Sequence, residues 1–379
     1  MILAIMSTLS SALYYAKFNL TMNRFIIDYE NPDAGIGHSL GYINSAIKIA
    51  TQHNLHFAFS PLQIKKSSSS DLQWRYKQFI RKITFRKIYE THDIGNDLNY
   101  LFAFDLLYSN RSSIEDKIKN GELKLLNLPF PVLKIPSNDQ SDDIAYEPIR
   151  QFVSNHPEDG IVFRLPSKRH ADYEYAASRH LILNSYQKSR IYRPITCKFE
   201  SNNINIAAHI RRGDLLPGRQ YSDLRHRMLP DSWYEAILNT IISELPGQKI
   251  TIHIFSEGIN GNYVCENGSV SSWANKFSAA NVLIKEWVDK PFIESFHHLL
   301  IADILIGSRS GMSHLAGILG KQIKIMPNMW HSYRGTDQSL VLNTAEINSD
   351  LSEVTKHVKA NMQTLLKLTL DPKRYQYPL

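Results

Sequence analysis

The chain has 379 residues, 43% of them apolar and 21% charged, with a formal net charge of +7. That composition excludes a disordered chain and leaves room for two domains of ordinary size, each with its own core. Two cysteines, Cys197 and Cys265, stand far apart and outside any CxxC pattern, so neither a disulfide framework nor a zinc site is favoured. The positive charge is mild over this length and reads first as a solvated, slightly basic surface.

The opening MILAIMSTLSSALYYAK is apolar but short for a span, broken by Ser and Thr, and preceded by no Lys or Arg. No stable membrane span is expected from it. Residues 1–22 are read as an N-terminal extension with weak anchor character, and a cytoplasmic location or the cytoplasmic face of a membrane is favoured. From Phe25 the pattern is a strand FIIDYE, a glycine turn NPDAGIGHSLG, a helix YINSAIKIATQHN and a second strand LHFAFSP, which together form one βαβ unit. The turn offers free backbone N–H groups and a helix N-terminus, a natural anion site. Its glycines, Gly35, Gly37 and Gly41, do not match a dinucleotide fingerprint, and no P-loop lysine follows.

Residues 62–160 are mixed: KKSSSSD, the basic RYKQFIRKITFRK and the proline-punctuated NLPFPVLKIPSND predict an irregular insert with long loops. Order returns with a strand GIVFRLP and a helix YEYAASRHLILNSYQKSRI. Beyond them strands and helices alternate: strand 204–210, helix DSWYEAILNTIISEL, strand KITIHIFSEG, ANVLIKE, helix PFIESFHHLLIA, strand DILIGS, helix SGMSHLAGILG and strand KQIKIMP. This alternation predicts a parallel sheet covered on both faces, with ligands beyond the carboxyl ends of its strands. The expected organisation is a Rossmann-like domain over 23–195 on the acceptor side, a second over 196–345 holding a donor site, and a helical segment 346–379. The fold class is α/β, two parallel sheets facing across a cleft.

Three strand ends carry polar clusters: HIRRGD, FSEG and GSRSGMSH. Arg211 or Arg212 supplies bidentate guanidinium donors, and Ser308, Ser310 and Ser313 supply hydroxyls beside a helix N-terminus near Ser310. Convergence of such donors is what holding or expelling a diphosphate requires. His209, Glu257 and Glu294 could address a base or ribose instead. Bland readings compete. Arg211 and Asp214 could form a strand-end ion pair, SRSG could be an N-cap, and His297 and His298 read as packed or capping residues on an apolar helix. The RGD triplet abuts a strand expected to be buried, which disfavours adhesion.

HIRRGD resembles the HxRRxD pattern of the GT-B fold fucosyltransferases, the group of the α1,2-, α1,6- and protein O-fucosyltransferases. FSEG stands where those enzymes carry an acidic motif, and ADILIGSRSGMSHLAG is similar to their Ser-rich strand-to-helix segment. GIGHSLGYINSAIKIA resembles their Gly-rich loop, with His38 and Ser39 in place of the usual Asn-Gln pair. The resemblance covers residues 23–60 and 200–330 and implies GT-B architecture, a GDP-fucose donor, a glycan or glycoconjugate acceptor and inverting transfer. It implies that Arg211 contacts the β-phosphate, that His209 and Glu294 or Ser295 lie near guanine, and that Ser308, Ser310 and Gly311 approach the phosphates. Gly37 and His38 would close the cleft, with Arg212, Asp214, Ser256, Glu257 and Ser313 counted in the donor site. No Asp-x-Asp pair occurs, so metal independence is expected, with no cofactor beyond the donor substrate. For the base that takes the acceptor proton, Asp33, Asp223 and His226 are candidates. A non-catalytic nucleotide or glycan binder of the same fold, a transferase using another sugar nucleotide, and a nucleic-acid binder reading through RYKQFIRKITFRK are the alternatives. Acidic residues mixed through the chain speak against nucleic acid.

Overall fold

The structure, a computed structural model, describes residues 23–29, 36–59, 94–130, 146–166, 171–216, 222–274, 276–277, 279–328, 333, 336, 338–342, 347–371 and 374–375. Residues 1–22, Asp33, KKSSSSD and RYKQFIRKITFRK lie outside them. The chain divides into two compact units, one of residues 1–31, 41–60 and 104–172, the other of 32–40, 61–103 and 173–379.

The first unit holds a five-stranded, fully parallel sheet. Its strands are β1 (Phe25–Ile27), β2 (His56–Phe59), β3 (Ser109–Asn110), β4 (Lys124–Asn127) and β5 (Ile161–Arg164), in the order β3-β2-β1-β5-β4. Two of them, β3 and β4, come from the stretch expected as an irregular insert. Ile27, Ala58, Ile114 and Val162 form a small core. Among the described residues of this unit, Arg111 Nη1 reaches Asp28 Oδ1 at 2.9 Å, and Lys48 Nζ reaches Asp172 Oδ2 at 2.8 Å, both with buried cations. Each cation is desolvated, and contact with its carboxylate offsets part of that cost.

The second unit holds a six-stranded parallel sheet: β6 (Ile204–Ile210), β7 (Ile250–Ser256), β8 (Val282–Val288), β9 (Ile304–Ile306), β10 (Ile323–Pro327) and β11 (Ser339–Leu342), in the order β11-β10-β9-β6-β7-β8. Every residue of β6 and β7 is buried, as strands covered on both faces must be. Trp233, Ile237 and Ile241 of the Asp231–Glu244 helix and Val354, Val358 and Leu365 of the Ile347–Leu370 helix pack into one core with Ile206, Ile210 and Ile254. The chain end is anchored at the start of the strands: the Asp303 carboxylate accepts from the Asn205 N–H at 2.7 Å and the Tyr375 hydroxyl at 2.6 Å. Burial pushes the Asp303 carboxyl above its ordinary value. The Arg179–Tyr192 helix, upstream of the boundary expected near residue 195, packs within this unit. No helix among the described residues is long and apolar enough to cross a membrane.

The strand order places the reversal between β6 and β9, where successive crossovers leave in opposite directions. A crevice therefore opens at the carboxyl ends of those two strands, the usual ligand position of a doubly wound sheet. The glycine segment differs from its expected form. The helix begins at Ile36, so Gly37 and Gly41 lie inside it rather than in a preceding turn. The Gly37 Cα faces the Gly311 backbone so closely that a Cβ on either would fall 2.9 Å from the other's Cα. Gly37 is thus used for close approach, not for a special φ.

Candidate functional site

The site is built in the second unit where β6 and β9 end. β6 delivers His209 and then Arg211 and Arg212; β9 delivers Ser308, Arg309 and Ser310, and the Gly311–Leu319 helix follows. Ser310 is its N-cap, accepting from the Met312 N–H at 3.2 Å, as Ser does at such positions. The first-turn N–H groups of that helix therefore point out of the sheet edge and carry the positive end of its dipole.

His209 joins the two strand ends. Its Nδ1 meets Ser308 Oγ at 3.0 Å and also bonds Ser313 Oγ, which itself accepts from the Ser308 N–H at 3.1 Å. Burial and the neighbouring Arg211 push the imidazole down to about 3, so it is neutral at physiological pH. A neutral ring tied to two hydroxyls makes a rigid joint that carries no charge. His314, one turn into the helix and also pushed to about 3 by burial, donates from Nε2 to the Tyr173 carbonyl at 3.3 Å.

The two adjacent arginines separate. Arg211 is partly exposed and donates from Nη1 to the Arg309 carbonyl at 3.0 Å, holding its cation at the start of the 311–319 helix. Arg212 is fully buried and turned the other way. Its Nη2 pairs with the Asp231 carboxylate, which also accepts from the Tyr263 hydroxyl, while Nη1 donates to the Arg211 carbonyl at 3.0 Å. Asp231 opens a helix, where a carboxylate also meets the positive end of the dipole. Arg212 thereby locks the loop that presents Arg211 rather than reaching the crevice.

The remaining residues fall along the same sheet edge. Ser256 Oγ donates to the Ile210 carbonyl at 2.7 Å, tying β7 to β6. Glu257 packs over Gly213, where a Cβ would lie 1.7 Å from Glu257 Oε2. Glu294 pairs with Lys198, and Ser295, buried in the same first turn, donates its N–H to the Pro291 carbonyl at 3.0 Å. His297 and His298 are packed: Nδ1 of His297 meets the Tyr186 hydroxyl at 2.7 Å, and Nε2 of His298 accepts from the Lys198 N–H at 3.0 Å. Asp214 lies in the 3-10 turn Gly213–Leu215 and Asp223 in the 3-10 helix Ser222–Arg227, with side chains outside the described residues. His226 is exposed on that helix.

Two cations were not anticipated. Arg309, inside the quoted SRSG, donates from Nη1 to the His226 carbonyl at 3.1 Å and so fastens the 222–227 helix to the β9 turn. Arg227 follows His226 and, with Arg211, depresses the imidazole of His38, for which burial is the larger cause. The available signal was Arg309 inside GSRSGMSH and Arg227 next to the candidate base His226. Together these side chains present a concentration of positive charge and N–H donors suited to a diphosphate. No group of three or more His, Cys, Asp or Glu among the described residues could hold a metal ion.

No protein-family model matches the chain, and no curated protein matches it in sequence. Among solved structures it is similar to POFUT1 in complex with GDP-fucose, at 8% identity over 86% of this chain and 99% of that one, TM-score 0.44. It is similar to the E. coli heptosyltransferase WaaC with ADP, at 11% identity over 88% and 99%, TM-score 0.40. It is also similar to an Arabidopsis thaliana FUT1 mutant in complex with GDP, at 11% identity over 85% and 75%, TM-score 0.37. Identities this low leave the chemistry to be read from the side chains, and what those describe is an α/β protein with a cationic crevice at the switch point of its second sheet.

Proposed function

We propose that the chain is an inverting, metal-independent glycosyltransferase that moves fucose from GDP-fucose to a hydroxyl of a glycan or glycoconjugate. The observation that carries the reading is the placement of Arg211 between the ends of β6 and β9, bonded to the Arg309 carbonyl at the N-terminus of the 311–319 helix. In glycosyl transfer from a sugar nucleotide, the bond between the anomeric carbon and the β-phosphate oxygen breaks, and negative charge grows on the diphosphate. A fixed guanidinium and the first-turn N–H groups of a helix are worth most against that developing charge, because they need no reorganisation. Arg227 and Arg309 add to the field, His209 with Ser308 and Ser313 fixes the joint, and Arg212 with Asp231 holds the Arg211 loop. The fucosyl and guanine parts of the reading rest on the HIRRGD, FSEG and GSRSGMSH resemblance, and metal independence rests on the missing Asp-x-Asp pair.

Calorimetric titration of GDP, GDP-fucose, UDP and ADP, with EDTA present, tests this. Wild type should bind guanine nucleotides selectively, and Arg211→Ala should lose about 2–3 kcal/mol of binding, the worth of a charge-assisted contact. Equal binding of ADP would move the donor to another sugar nucleotide. A folded protein that binds none of the four would remove the transferase reading.

A further inference from the structure

We propose that His38 is the general base that takes the proton from the acceptor hydroxyl. The inference rests on the transferase reading and adds a catalytic group to it. The contact between Gly37 and Gly311 brings the first turn of the Ile36–His53 helix onto the N-terminus of the 311–319 helix. The residue after Gly37 is therefore held beside the proposed diphosphate cradle by main-chain packing. The His38 ring is set edge to face on Tyr173, centroids 5.6 Å apart at 80°, and the Tyr173 carbonyl is in turn bonded by His314 of the 311–319 helix. The His38 side chain is nevertheless exposed, so an incoming hydroxyl can reach it. Position, orientation and access are thus fixed on one imidazole.

The groups that act on His38 make it suited to the step. Partial burial, Arg227 and Arg211 all disfavour the imidazolium, and the Tyr173 ring packs across it at 80°. The ring is accordingly neutral at physiological pH, as a base must be. A base held neutral by cations is weak, but the reaction supplies the correction. As the acceptor oxygen's lone pair forms the new bond to the anomeric carbon, the bond to the β-phosphate oxygen breaks and that oxygen keeps the electron pair. The growing anion offsets the field of Arg211 and Arg227, so the proton affinity of His38 rises as the acceptor proton moves onto its ring nitrogen. The imidazolium then loses that proton to solvent after GDP leaves. Of the bases expected from the sequence, His226 lies on the segment that Arg309 pins.

Two measurements test the proposal. The first is an NMR titration of the His38 imidazole in the free and GDP-saturated protein; its pKa should rise by about one unit or more on binding, the effect of an adjacent opposite charge. The second is GDP release from GDP-fucose with water as acceptor, in wild type, His38→Gln and His38→Ala. His38→Gln should lower kcat on the order of 100-fold or more and abolish the acid limb of the kcat profile, with GDP affinity within about threefold of wild type. Added imidazole should restore part of the rate in His38→Ala. An unchanged His38 pKa in the GDP complex overturns the proposal, as does a wild-type kcat in His38→Gln. Absence of GDP binding in the wild-type calorimetric titration is a separate result and removes the transferase reading itself. If the wild type does not hydrolyse the donor, the NMR comparison alone decides.

Discussion

Arg211 and Arg212 are adjacent and chemically identical, yet the structure assigns them opposite tasks, and substitution separates the two. Arg212→Met removes the guanidinium from the Asp231 carboxylate, which is only 7% exposed and keeps the Tyr263 hydroxyl as a remaining donor. Breaking a buried ion pair on one side costs about 3–5 kcal/mol, because the surviving charge stays desolvated. For a unit of this size each kcal/mol lowers Tm by about 2–4 °C, so a fall of roughly 10 °C is expected. Trp233, Trp273 and Trp287 all belong to the second unit, so tryptophan fluorescence during urea and thermal unfolding reports on it directly. The double variant Arg212→Met with Asp231→Leu should recover part of the loss, since an apolar pair can replace a buried salt bridge at little cost while the buried Tyr263 hydroxyl loses its Asp231 acceptor. Arg211→Met should leave Tm within about 2 °C, as for a partly exposed site, and abolish most GDP affinity. A wild-type melting curve for Arg212→Met, or normal stability with lost GDP binding in that variant, would refute the assignment.

Acid should destabilise the second unit well above the carboxylate range. His209, His253, His297 and His314 are buried, and burial holds each near 3 against an ordinary 6.5. With the folded value below the unfolded one, stability is complete above pH 6.5 and falls as pH drops toward 3, because only the unfolded chain takes up protons. At pH 5 each ring costs about 2 kcal/mol, roughly 8 kcal/mol together, offset in part by the buried Asp303, which is shifted the other way. Urea midpoints measured from pH 7.5 to 5 should fall steeply, and a flat profile would show that these rings are not buried neutral. Glycine substitutions should split by contact: Gly37→Ala and Gly311→Ala each place a Cβ 2.9 Å from a backbone carbon and should cost about 1–3 kcal/mol, while also weakening GDP. Gly317→Ala meets nothing nearer than 3.5 Å in the same helix and should stabilise by about 0.5–1 kcal/mol; equal thermal shifts for Gly311→Ala and Gly317→Ala would defeat the close-approach argument.

The second sheet was legible because its central strands are covered on both faces. INIAAHI, read as strand 204–210, is β6 to the residue, and the alternation that follows it fixes where ligand-facing loops must fall. The edges were not legible. β3 has two residues, β4 reads KLLN with both ends exposed, and β11 reads SLVL with one residue buried; such short, half-solvated strands carry too little apolar signal. The early start of the helix at Ile36 was hidden because GIGHSLG has turn composition, whereas the structure uses the absent Cβ of Gly37 for backbone approach. Nothing local distinguishes Arg211 from Arg212. What separates them is Asp231, 19 residues on, a long-range partner that pattern reading does not reach.

The way the cations are held bears on why the crevice suits a leaving group. A carboxylate partner fixes an arginine and also neutralises it, as Asp231 does for Arg212 inside the protein. A main-chain carbonyl orients a guanidinium through one N–H, as the Arg309 carbonyl does for Nη1 of Arg211 and the His226 carbonyl for Nη1 of Arg309. The nearby imidazoles of His209 and His38 are both kept from charging, by burial first and then by Arg211, with Arg227 acting on His38 as well. Arg212 is locked by an acid inside the protein, and Arg211 is oriented toward the start of the 311–319 helix by the Arg309 carbonyl; stabilising a departing diphosphate requires a guanidinium fixed in place in this way.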